Sequence, residues 1–90
     1  MKPIERAART LCALDGKLED DDFKGKPMWQ SYLPRVLAVV DALHEPSEVM
    51  KEAGSEIFKG YNPEQSNHAH LSDAANVWRY MIDSMRRDAG

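Results

Sequence analysis

The chain has one cysteine, Cys12, which excludes an intramolecular disulfide and any zinc site built on several cysteines. Long apolar runs are missing, and none approaches the ~18 residues of a membrane span. The opening Met1-Lys2-Pro3-Ile4-Glu5-Arg6 has no apolar stretch of the secretory type. A surplus of positive charge is missing too. Twelve Lys and Arg against fifteen Asp and Glu give −3 with neutral histidines, which argues against direct nucleic-acid binding and against adsorption to an anionic membrane. Strand-like alternation, internal repeats and low-complexity tracts are absent. So are a Gly-rich phosphate loop, a nucleophile elbow and a zincin helix. A cytoplasmic protein with neither cofactor nor catalytic constellation is expected.

What is present is 90 residues, 42% apolar and 30% charged, a globular balance. That length suits a single domain, residues 1–90, with one modest core. The periodicity predicts an all-α fold, a compact bundle of about four helices with a long loop after the first.

The first helix covers Pro3 to Asp15. Pro3 suits the opening turn, Ile4, Ala7, Ala8, Leu11 and Leu14 share a face, and Gly16 ends the helix. Residues 16–27 read as a loop anchored to the core by Leu18 and Phe23. The second helix runs from Met28 to about His44, on Trp29, Leu33, Val36, Leu37, Val40 and Leu43, broadened by Tyr32 and Val39. Pro34 makes Met28 to Leu33 a separate turn or a kinked start. This most apolar element is expected at the centre. Ser47 caps a third helix that buries Val49, Met50, Ala53, Ile57 and Phe58 and stops at Gly60, with Gly54 admitting a neighbouring helix. Residues 61–70 read as a polar loop. The last helix, Leu71 to Arg87, carries the stripe Leu71, Ala74, Ala75, Trp78, Met81, Ile82 and Met85, and an Arg79–Asp83 pair.

Several constellations invite a chemical reading and fall short. His68 and His70 supply two imidazoles where zinc or copper needs three or four ligands, so no metal site is expected. The acids from Asp15 to Asp22 fail the EF-hand pattern at its sixth and twelfth positions. Cys12 has no motif histidine and reads as a small buried thiol. The ten-residue connection before the last helix is too long for a helix-turn-helix. Glu45, Glu48, Glu52 and Glu56 form an acidic stripe, joined in composition by Asp20, Asp21 and Asp22. With five Met and the aromatics Trp29, Tyr32 and Trp78, apolar surface exceeds what one small core covers. Such excess marks a partner interface or a homo-oligomer.

Ala8-Arg9-Thr10-Leu11-Cys12, Gly16, Pro27-Met28-Trp29, Tyr32, Pro46-Ser47-Glu48 with Met50, Ala53-Gly54, and Trp78 with Met81-Ile82-Asp83 carry a resemblance. On them the chain resembles a family of short uncharacterised proteins from bacteriophages, prophages and proteobacterial genomes. The resemblance implies a small phage-type accessory protein in the cytoplasm of a bacterial host. It implies no active site. Such proteins bind and redirect host machines, inhibitors of CRISPR effectors among them. The expected function is therefore binding of a host protein, through Glu48, Glu52, Glu56, Asp20, Asp21 and Asp22. The alternative is a protein that sequesters a nucleotide signal at Trp29, Tyr32, Arg35, Lys24 and Lys26.

Overall fold

Helix α1 runs Pro3–Leu14 with proline at its first position, where no intrahelical N–H is needed. Ile4, Ala8 and Cys12 recur every four residues and are buried. Gly16, at φ 76°, closes the helix. Its N–H donates to the Ala13 carbonyl (2.9 Å) and the Lys17 N–H to that of Cys12 (3.2 Å), which is a Schellman stop. Leu14 is 77% exposed, in contrast to its expected burial, because it is the last helical residue before this turn.

The segment after α1 holds a small antiparallel ribbon, β1 (Asp22–Phe23) and β2 (Lys26–Pro27), in the register Asp22–Pro27 and Phe23–Lys26. Lys24 (φ 54°) and Gly25 (φ 82°) form its two-residue loop. Positive φ at both positions is the type I′ geometry that matches strand twist. Leu18 and Phe23 do not anchor this segment, being 70% and 41% exposed. Main-chain hydrogen bonds hold it instead: Met28 N–H to Asp21 (2.7 Å) and Trp29 N–H to Glu19 (3.1 Å).

Of the two readings of Met28 to Leu33, the separate turn is observed. A 3₁₀ turn spans Met28–Tyr32 and α2 follows at Leu33–Ala42. Pro34 is then the second residue of α2, where its missing donor costs nothing. α2 buries Val36 and Val40, whereas Val39 and Leu43 face solvent, so its apolar stripe is narrower than expected.

Helix α3, Glu48–Tyr61, starts where expected. The Ser47 hydroxyl accepts the Met50 N–H at 3.2 Å. It runs through Gly60 to an Asn62 cap. Its buried side departs from expectation. Val49, Met50, Ala53 and Ile57 are exposed, Phe58 is half-buried, and the inward residues are Lys51, Gly54, Ser55 and Phe58. A Cβ on Gly54 would stand 2.8 Å from Ala74 Cβ. Small residues thus set the approach of α3 to α4 and decide which face turns in.

Helix α4, Asn67–Ala89, begins four residues before the expected Leu71, because Ser66 accepts the Ala69 N–H (3.1 Å) as a cap. Residues 62–66 alone connect α3 to α4, half the expected length but still longer than the three- or four-residue turn of a helix-turn-helix. α4 buries His70, Ala74, Ala75 and Ile82, while Met81 is exposed. The expected Arg79–Asp83 pair is replaced by longer-range partners. Arg79 donates to Glu45 (2.8 Å) and Asp83 meets His44 (3.0 Å).

The structure describes residues 1–89 and is a computed structural model. It is all-α, with four helices and the small ribbon. It divides into two compact units: Met1–Ala42 with Ser84–Gly90, and Leu43–Asp83. The first unit buries Ile4, Ala8, Cys12, Tyr32, Val36, Val40; the second, Ser55, His70, Ala74, Ala75, Ile82. Among the described residues, no helix is long and apolar enough to cross a membrane.

Candidate functional site

On α3 the helical period sets Val49, Ala53, Ile57, Met50 and Tyr61 side by side over an arc of about 120°. Val49 is 74% exposed, Ile57 64% and Tyr61 78%. These are large side chains that stand mostly in solvent. The arc turns away from the Gly54–Ser55 side that packs on α4. Glu48, Glu52 and Glu56 form the neighbouring row along one edge of the arc, all exposed. Lys51 lies 2.6 Å from Glu48, and Lys59 3.0 Å from Glu56. The carboxylates of both pairs face solvent, and the row stays acidic with three Glu against two Lys. Glu52 has no ion-pair partner among the described residues.

Glu45 does not belong to this row. It precedes the Ser47 cap and is held by the Arg79 guanidinium and by His44 (3.4 Å). The hydrogen bond from Arg79, opposed by partial desolvation, keeps its carboxyl below the usual Glu range. Asp20, Asp21 and Asp22 lie in the first unit, not with Glu48, Glu52 and Glu56 in the second. Asp20 is tied to Arg9 (3.2 Å), which also holds Glu5 (3.1 Å) and Glu19 (3.4 Å). The Arg9 guanidinium stacks over Trp29, 5.0 Å from the ring centroid. Burial opposes its charge, but the hydrogen bonds to the three acids outweigh that and raise its pKa.

The other anticipated residues are divided in the same way. Tyr32 is 4% exposed, and its hydroxyl donates to Asp15 at 2.7 Å. That bond, with burial, pushes the phenol pKa up. Arg35 covers the Tyr32 ring and pairs with Asp15 (3.8 Å). Tyr32 is thus committed to the interior. Trp29 and Leu33 line a shallow cavity of about 670 Å³ whose charged walls, Lys2, Glu5 and Asp88, are of mixed sign. Lys24 and Lys26 line a different cavity, of about 400 Å³, with Phe23, Pro27, Gln30 and Ser31.

His68 is exposed, whereas His70 is buried with Nε2 2.8 Å from the Asn62 carbonyl. Nε2 therefore carries the proton, and Nδ1 is left without a partner. Helix α4 thus separates the two imidazoles. Among the described residues no three His, Cys, Asp or Glu side chains gather as a metal site would need. The Cys12 thiol is fully buried, with Sγ 3.8 Å from the Lys17 carbonyl. Burial, reinforced by the negative charge of Glu19, pushes its pKa up.

Sequence reasoning missed Val49, Met50, Ala53 and Ile57 as surface residues, Tyr61 as part of α3, and Phe23 as a cavity wall. For α3 the signal is Gly54, which meets Ala74 across the helix pair, small residues that favour close helix packing. For Phe23 it is the Lys24-Gly25 turn, which makes its neighbourhood a hairpin. No protein-family model, curated protein or solved structure matches this chain significantly.

Proposed function

We propose that this chain is a phage-type accessory protein that acts by binding a host protein, and that α3 is its contact surface. The observation that carries the reading is the uncovered arc of Val49, Ala53, Ile57, Met50 and Tyr61 bordered by Glu48, Glu52 and Glu56. An apolar centre with a charged rim is the anatomy of a protein interface. The acidic rim calls for a partner with an apolar groove or helix face edged by Lys or Arg. A second copy suits it less. Twofold pairing of antiparallel α3 helices would set the Glu row against itself, and parallel pairing would set it against the Met50–Tyr61 edge, which carries no cation. Inhibition of a bacterial defence system is the role that such binding would serve. Asp20 is tied to Arg9, and the proposed contact is drawn on α3 alone.

The test is affinity capture from host lysate with the wild type, Ile57→Glu, and the triple reversal Glu48→Lys, Glu52→Lys and Glu56→Lys. The expected result is one protein retained by the wild type, released by salt, and lost with both variants while their helical circular dichroism is unchanged. Retention by both variants at low salt would refute the assignment of α3.

A further inference from the structure

We propose that the cup between the β1–β2 ribbon and the 3₁₀ turn is a second binding site, for a small phosphate ester with an apolar or aromatic body. The argument starts from charge. The chain is acidic overall, and two of the cavities in the first unit have walls of mixed sign: Lys2, Glu5 and Asp88 in one, Arg6, Arg9 and Glu19 in another. The ribbon cup differs. Its only charged lining residues are Lys24 and Lys26. Among the described residues neither lysine forms an ion pair, although Lys and Arg make nine with carboxylates elsewhere among them. Two lysines without carboxylate partners, lining one concavity, favour an anion.

The remaining walls say what accompanies the charge. Phe23, Pro27 and Leu33 are apolar, and Phe23 is held beneath the Lys24 ammonium, 5.3 Å from its ring centroid. Gln30 adds an amide, and Ser31 a hydroxyl whose proton goes to the Met28 carbonyl, leaving an acceptor. At about 400 Å³ the cup lies within the range of small-molecule sites. A bare anion would leave the apolar walls wet, whereas an ester carrying a ring or chain would cover them.

The backbone supplies an independent reason. Lys24 sits at φ 54° in the first loop position of a type I′ turn, where Asn, Asp or Gly is favoured. A lysine there is unfavourable for the turn itself. A charge needed at that spot explains its presence. The site takes over Lys24 and Lys26 from the nucleotide-binding alternative but replaces its aromatics, since Tyr32 is interior and Trp29 lines another cavity.

The experiment is calorimetric titration of the full chain with 5′-AMP, phenyl phosphate, inorganic phosphate and adenosine, in the wild type, Lys24→Gly, Lys26→Gln and Glu52→Lys. The two esters should bind, inorganic phosphate more weakly, and adenosine not at all. Lys24→Gly and Lys26→Gln should each weaken the esters about tenfold, the loss of one charge-assisted contact. Lys24→Gly should keep or raise the melting temperature, because glycine suits the turn; a purely structural lysine would give the reverse. Glu52→Lys, a change on α3, should leave ester binding intact, so this site and the α3 surface fail or stand separately. No ester binding at millimolar concentration, adenosine or inorganic phosphate equal to AMP, or wild-type affinity in both lysine variants would each overturn the proposal.

Discussion

Two glycines of α3 make opposite demands. A Cβ on Gly54 would meet Ala74 Cβ at 2.8 Å, against a rigid methyl that cannot swing aside. Nothing lies within 4 Å of a Cβ on Gly60. Alanine gains ~1 kcal/mol over glycine in a helix interior, while overpacking costs ~1–3 kcal/mol. Gly54→Ala is therefore expected to lower stability by about 1 kcal/mol, and Gly60→Ala to raise it by about 0.5 kcal/mol near the frayed end. Urea unfolding measures both. Ala74→Gly should cost less in the Gly54→Ala background than in the wild type, since it removes the crowding; equal costs would show that the two do not touch.

At the scale of elements, the connections are held by charge. Arg79 of α4 draws in Glu45, and His44 meets Asp83. The Arg79 hydrogen bond depresses the folded-state pKa of Glu45 relative to its ordinary 4.5, so folding favours the ionised form. The resulting stability is present above pH 4.5 and is lost as pH falls through the depressed value. Glu45→Gln should thus lower the melting temperature at neutral pH and make little difference in strong acid. A constant difference across that window would remove the ion pair as the cause. The helices themselves were legible because Pro3, Gly16, Ser47 and the 3.6-residue period act locally. The inward face of α3 was not. Hydropathy favours burying Val49 and Ile57, but Gly54 and Ala74 let two backbones approach, and that partner choice is a tertiary matter. The start of α4 was obscured by its polar first turn, since Ser66 is a cap that hydropathy does not register. The candidate site is half legible for the same reason: the Glu row shows as spacing, whereas hydropathy sends Val49, Met50, Ala53 and Ile57 to the interior.

For the molecule as a whole, a net charge of −3 sets how it meets a partner. With Glu48, Glu52 and Glu56 at the rim, association should slow as ionic strength rises while dissociation changes little. Surface-plasmon measurements on the captured protein would show this, and a salt-independent association rate would detach the Glu row from the contact. The lone Cys12 has a different consequence. Fully buried, and with its thiol made less acidic by burial, it is shielded from modifying reagents while the first unit stays closed. A disulfide reagent in the buffer therefore acts as a stopwatch on the opening of that unit. The colour released on reaction counts opening events at one known position, with no label to introduce and no second thiol to confuse the trace.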